Sequence, residues 1–205
     1  MLTVILVRHG ETDWNQERRV QGSGSDRQLT ETGKQQAESI GSRLKQENIQ
    51  AIYSSPLRRA RDTAQAIARY HQLEVQIEPS LNEIYAGELE GVSLKKIGSF
   101  LSELVARERG YESIHRQYGG ESLIEVQQRA WSAIQRLVDK HRDGAIVVVS
   151  HYFVTLSIIC SVLNLPLSEM GRLRLDTGSI STILFDERGI RLTLFNDNCH
   201  LAAGK

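Results

Sequence analysis

The hydrophobic pattern of this chain switches repeatedly between two periods. The short continuous apolar runs TVILV (3–7), AIYSS (51–55) and AIVVVS (145–150) predict buried strands, and LEVQIE (73–78) alternates as a strand ended by Pro79. Between them, apolar residues recur every three or four positions. Ala37, Ile40 and Leu44 predict a helix over 33–48, opened by a capping box of Thr32 with Gln35. Leu57, Ala60, Ala64 and Ile67 predict one over 57–71, after Pro56. Leu123, Val126, Ala130, Ile134 and Leu137 predict one over 122–141, opened by a second capping box of Ser122 with Glu125. A last helix is expected from near His151 to near Asn164. SISTILF (179–185) and IRLTLF (190–195) then read as a hairpin turning at residues 186–189.

Alternating strands and helices predict an α/β fold: a three-layer sandwich with a mainly parallel central sheet, an antiparallel edge from the hairpin, and helices on both faces. A chain of 205 residues suits a single domain, 1–205. Residues 80–121 are the least regular, with a charged helix over 93–107 and a polar loop ending in Gly119-Gly120. We expect this stretch, around 84–120, to be a lid-like insertion over the carboxyl ends of the strands, where open α/β sheets bind ligands.

Composition adds mainly exclusions. Lys and Arg number 25 against 25 Asp and Glu, so no net positive charge draws the chain to nucleic acid or an anionic membrane. The apolar stretch at 153–165 is too short to span a bilayer, and no secretory leader is read at the N-terminus. Two cysteines are too few for a disulfide framework. Cys160 reads as a core residue and Cys199 as a free thiol, both fitting a reducing cytoplasm.

The chemistry gathers where strands end. TVILV runs into Arg8-His9-Gly10, AIVVV runs into Ser150-His151, and AIYSS is followed by Arg58, Arg59 and Arg61. If these strands are parallel neighbours, two histidines and several arginines converge on one sheet edge. That combination suits phosphate, because arginine forks bind phosphoryl oxygens bidentately and a helix starting after His151 adds N–H donors. Singly, each residue is more simply a polar strand end or a solvated charge, and Arg58 pairs naturally with Asp62 at i, i+4. The inference rests on the set.

Arg8-His9-Gly10-Glu11-Thr12 resembles the RHG signature of the histidine phosphatase superfamily, in its phosphoglycerate mutase-like branch. The resemblance continues through Gln21-Gly22, Leu29-Thr30-Glu31-Thr32-Gly33, Ser54-Ser55-Pro56-Leu57-Arg58-Arg59-Ala60, Leu81-Asn82-Glu83, Gly119-Gly120-Glu121-Ser122 and Val149-Ser150-His151, in the family's order. It implies a phosphatase acting on small phosphorylated metabolites such as a phosphorylated sugar, glycerate, serine or nucleoside-related compound, with no cofactor and no metal. His9 would form a phosphohistidine. Its other ring nitrogen needs an orienting acceptor, expected to be a backbone carbonyl. Arg8, Arg59 and His151 would hold the phosphoryl group, and Glu83 would serve as acid and then base. Helical spacing does not choose among Arg58, Arg59 and Arg61; the family's arginine directly before alanine selects Arg59. Asn15, Gln21 and Gly22 match positions lining the phosphate pocket, with Thr12 a weaker match. Gly10 is expected to permit close backbone approach.

The sequence departs from the family pattern after the second histidine, where small residues are common and Tyr152-Phe153 stands instead. The Tyr152 N–H is expected to face phosphate. Its side chain either packs behind the sheet, the reading we favour, or narrows the pocket. The modest insertion favours a phosphatase over a longer mutase, although its Lys95, Lys96, Arg107, Arg109, His115 and Arg116 offer cations for a second anionic group. A phosphoglycerate mutase with a shortened lid and a non-catalytic phosphate-binding protein are the alternatives. Exposed sheet edges leave a homodimer open.

Overall fold

The computed structural model describes residues 1–97 and 118–204. Six strands form one sheet: β1 (Leu2–Arg8), β2 (Ile49–Ser54), β3 (Val75–Ile77), β4 (Gly144–Ser150), β5 (Ile180–Asp186) and β6 (Gly189–Asp197). Their spatial order is β3-β2-β4-β1-β5-β6. The β3–β2, β2–β4 and β4–β1 pairs are parallel, and β5 and β6 add an antiparallel edge. The described residues also form helices α1 (Asp13–Gln16), α2 (Glu31–Leu44), α3 (Arg58–His71), α4 (Leu123–His141) and α5 (Tyr152–Leu163), with short 3₁₀ turns between.

The central strands read as continuous apolar runs because both faces are covered. In β1, Leu2, Val4 and Leu6 join the core under α4 and α5, while Ile5 and Val7 join the core under α2 and α3. Alternating side chains of one strand thus anchor two layers. From β1 the chain first crosses to β2, leaving a gap that β4 later fills, and from β4 it crosses to β5 on the other side. The β1–β4 pair is therefore the point where the direction of winding reverses, which opens a crevice at the carboxyl ends of these strands.

Helix α4 matches its sequence signal: Ser122 accepts from Glu125 N–H, and the Glu125 carboxylate takes Ser122 N–H at 2.8 Å. Helix α2 does not start where its pattern predicts. Its cap is Thr30, whose hydroxyl accepts from Gly33 N–H at 3.0 Å, and Thr32 lies within the first turn. A tertiary contact explains the choice, since Thr30 N–H also donates to Glu11 O at 3.0 Å, docking the helix start on the loop after β1. Strand β3 is shorter than its alternating run, and the short helix α1 lacks an apolar period to announce it. The helix expected over 93–107 begins at 94–97, and its remainder lies outside the described residues.

Candidate active site

Two histidines stand side by side where β1 and β4 end. Arg8 is in register with Ser150, and His9 N–H donates to Ser150 O at 3.0 Å. The turn after β1 is tied down at once. Gly10 N–H donates to Thr63 Oγ1 at 3.1 Å, and Gly178 N–H donates to His9 O at 3.0 Å. A Cβ on Gly10 would lie 2.4 Å from Gly33 O. The close approach expected of Gly10 is thus made with the start of α2, which presses on the loop and fixes its path.

The His9 ring follows from that turn. Its Nδ1 lies 2.7 Å from Gly10 O. A carbonyl only accepts, so Nδ1 carries the hydrogen and Nε2 keeps its lone pair. Burial, with the Arg59 and Arg8 charges behind it, holds the imidazole well below the usual histidine range. The ring is 3% exposed yet lines the cleft, so it presents an unprotonated nitrogen without being solvated.

His151, with its ring centroid 5.1 Å from that of His9, is held differently. Its Nδ1 accepts from Arg59 Nε–H at 3.2 Å, and its Nε2–H donates to Ser55 Oγ at 2.7 Å. It too is kept neutral, first by burial and then by Arg59. Arg59 is fully buried and also donates to Ser25 O at 2.9 Å and Gly22 O at 3.0 Å. Burial pulls it down to about 10, so it remains cationic at neutral pH. Gly22 turns its own N–H to the Glu90 carboxylate, at 3.0 and 3.2 Å from its two oxygens. Ser55 and Glu90 therefore hold the site together. Ser55 lies in a sequence block quoted above, but no local signal pairs it with a histidine 96 positions away.

Glu83 enters from the segment after β3. Its Oε1 accepts from Ile84 N–H at 2.9 Å and its Oε2 from Phe153 N–H at 3.3 Å. At the N-terminus of α5 the Phe153 N–H thus points at the Glu83 carboxyl. Burial raises the carboxyl above its ordinary range, against the opposing pull of these N–H groups and of Arg59 and Arg8. A carboxyl kept protonated to higher pH is suited to giving a proton.

Arg8, His9, Asn15, Gln21, Glu83 and Tyr152 meet around a cleft of about 580 Å³, with Trp14, Arg18 and Asp176 also on its walls. Arg59, His151 and Gly22 are buried and are not among its lining residues. Arg8 donates Nη1–H to Leu175 O at 2.6 Å, while Arg8 Nε and Gln21 Nε2 are buried donors with no acceptor among the described residues. Thr12 caps α1; its N–H donates to Asn15 Oδ1 at 3.0 Å and its hydroxyl to Gln21 Oε1 at 2.9 Å, which engages the two carbonyl oxygens and leaves both NH₂ groups as donors. Tyr152 does not retreat behind the sheet as favoured. Its ring packs under the Arg8 guanidinium, 5.1 Å from the centroid, and forms part of the cleft wall.

Among the insertion's cations, Lys95 and Lys96 are exposed, and Arg107, Arg109, His115 and Arg116 lie outside the described residues. Among the described residues no group of three or more His, Cys, Asp or Glu side chains is placed to hold a metal ion. No helix among them is long and apolar enough to cross a membrane.

An α/β sheet with a neutral, buried histidine at its winding reversal, ringed by arginines and a protonatable carboxyl, defines a protein built for phosphoryl chemistry. Residues 4–198 match the model of the histidine phosphatase superfamily, branch 1, and the chain belongs to that family. It is 35% identical over 203 residues to phosphoserine phosphatase 1 of Hydrogenobacter thermophilus, covering 98% of this chain and 95% of that one. It is 36% identical over 197 residues to the protein named "Probable phosphoglycerate mutase GpmB" of Escherichia fergusonii, covering 91% and 86%. A mutant phosphoserine phosphatase from Entamoeba histolytica, solved in complex with phosphoserine, superposes with a TM-score of 0.84 at 30% identity, covering 98% of this chain and all of that one.

Proposed function

We propose that this chain hydrolyses small phosphomonoesters through a phosphohistidine on His9. The observation carrying this reading is the His9 ring: Nδ1–H is committed to Gly10 O, and the bare Nε2 borders a cleft shared with a carboxyl whose pKa is raised. In the first step Nε2 bonds to phosphorus, the ester P–O bond breaks, and Glu83 gives its proton to the departing alcohol. In the second, the Glu83 carboxylate takes a proton from water, the water oxygen bonds to phosphorus, and the P–N bond breaks to release phosphate.

The unpartnered Nε–H of Arg8 and the amides of Gln21 and Asn15 meet the phosphoryl oxygens. Arg59 and His151 spread the charge of the transition state from behind, with His151 Nε2–H exchanging Ser55 Oγ for a phosphoryl oxygen. Gly22 contributes through its carbonyl on Arg59, and Tyr152 by supporting Arg8. Relatives that bear phosphoserine phosphatase names, and one solved with phosphoserine bound, support a small phosphorylated metabolite as substrate. The cleft volume suits one. We place the whole chain, as one domain, in the cytoplasm, a setting that its two free thiols fit.

A phosphomonoester panel, assayed with chelator present and with His9→Ala as control, tests this reading. Phosphate release by the parent and none by the variant is expected. Full activity in the variant, or complete dependence on a divalent cation, would contradict it. The mutase reading, supported by the Escherichia fergusonii relative, predicts phosphoglycerate isomerisation faster than phosphate release on the same preparation.

A further inference from the structure

The Gly119-Gly120-Glu121-Ser122 block carries no role in the reaction as described, yet it leads into the most fully used side chain near the site. Arg129, on α4, donates Nη1–H to Ser80 O and to Asn82 O, both at 2.7 Å, and Nη2–H to Glu83 O at 3.3 Å. Its remaining donors go to Glu121: Nε to Oε1 at 2.6 Å and Nη2 to Oε2 at 2.9 Å. All five N–H groups of a guanidinium are thereby committed. The carbonyl that Arg129 skips, Leu81 O, accepts from Ser150 Oγ at 2.8 Å, at the end of β4. Four consecutive carbonyls are thus fixed to the scaffold, and the last belongs to Glu83. On the far side, Glu121 N–H donates to Tyr85 O at 2.7 Å, and Glu121 Oε2 accepts from Tyr85 N–H at 3.3 Å.

A surface ion pair needs no such saturation and adds little. Here the guanidinium fork replaces a hydrogen-bonded neighbour strand for an irregular segment, and only its planar geometry reaches three carbonyls and a bidentate carboxylate together. We propose that Arg129, locked by Glu121, is a positioning residue that aims the Glu83 carboxyl at the leaving-group oxygen. This rests on Glu83 being the acid of the reaction proposed above. A small displacement of an acid costs proton transfer before it costs binding.

The test compares two esters in each variant: p-nitrophenyl phosphate, whose phenolate leaves without a proton, and glycerol phosphate, whose alkoxide does not. The ratio of their kcat/KM values is independent of how much of a preparation is folded. Arg129→Met and Glu121→Gln are expected to lower kcat/KM for the alkyl ester about 10–100-fold more than for the aryl ester, with Arg129→Lys restoring part of the loss. Glu83→Gln should show the same selectivity or more. Should Arg129→Met not fold, Glu121→Gln and Arg129→Lys carry the comparison. An unchanged ratio in the clamp variants beside a changed ratio in Glu83→Gln would overturn the positioning role alone. An unchanged ratio in Glu83→Gln would overturn the acid assignment and the clamp with it.

Discussion

His9 and His151 end adjacent parallel strands of the same apolar type, and their rings lie 5.1 Å apart. The protein nevertheless makes them chemically unlike. His9 gives one nitrogen to the carbonyl of the next residue and keeps the other bare. His151 has both nitrogens engaged, one by a buried arginine and one by a serine hydroxyl. Both are neutral for the same first reason, burial. The difference lies in the partners: a local carbonyl creates a nucleophile, whereas Arg59 and Ser55, brought from another strand end, create a fixed N–H donor. Similar sequence at two strand ends thus yields a reacting group and a holding group.

The largest expected effect breaks this pair directly. His9→Ala should lose about 10⁴-fold or more of turnover on any phosphomonoester, because the covalent route disappears. His151→Ala should lose about 10²–10³-fold while keeping that route, as loss of a transition-state donor does. Steady-state kinetics on one ester separates them, and equal losses would mean that the two rings share one role.

A second effect sharpens the electrostatic part. Arg59 lowers both the His9 and the Glu83 pKa. Activity needs His9 unprotonated, so kcat/KM falls on the acid side as His9 gains a proton; it needs Glu83 protonated, so it falls on the alkaline side as Glu83 loses one. Depressing His9 and raising Glu83 both widen the pH range in which the two groups hold the required states. Arg59→Gln removes a positive charge that opposes protonation of both groups, so both limbs should move to higher pH, while Arg59→Lys should leave them nearer the parent. Limbs that move in opposite directions would contradict the arrangement.

The smallest effect concerns the wall. Tyr152 lines both the cleft and an apolar niche of about 170 Å³, which Phe153, Leu167 and Met170 also line. Tyr152→Gly should join the two spaces and favour esters with apolar tails by a few-fold in KM, on the order of one buried methylene or two. An unchanged substrate profile would show that the ring only supports Arg8.

Much of this was legible before the fold was known. The strands declared themselves as apolar runs, Ser122 and Glu125 marked the start of α4, and the order of motif blocks brought Arg8, His9, Arg59, Glu83 and His151 into one list. What stayed hidden depends on contacts between distant segments. Thr30 rather than Thr32 caps α2 because Thr30 docks on Glu11. Ser55 matters only because β2 ends beside β4, and Arg129 reads as one more polar helix residue until the carbonyls of residues 80–83 are placed around it. The apolar pattern likewise gives no indication that Tyr152 would turn toward Arg8, since an aromatic at a helix start packs equally well behind the sheet.

The most direct measurement is to trap the phosphoenzyme during turnover, quench it in alkali, where phosphohistidine survives, and map the labelled peptide. The account predicts phosphate on His9 in the parent and in His151→Ala, and none in His9→Ala. Label on His151, or turnover with no acid-labile label on any histidine, would contradict it.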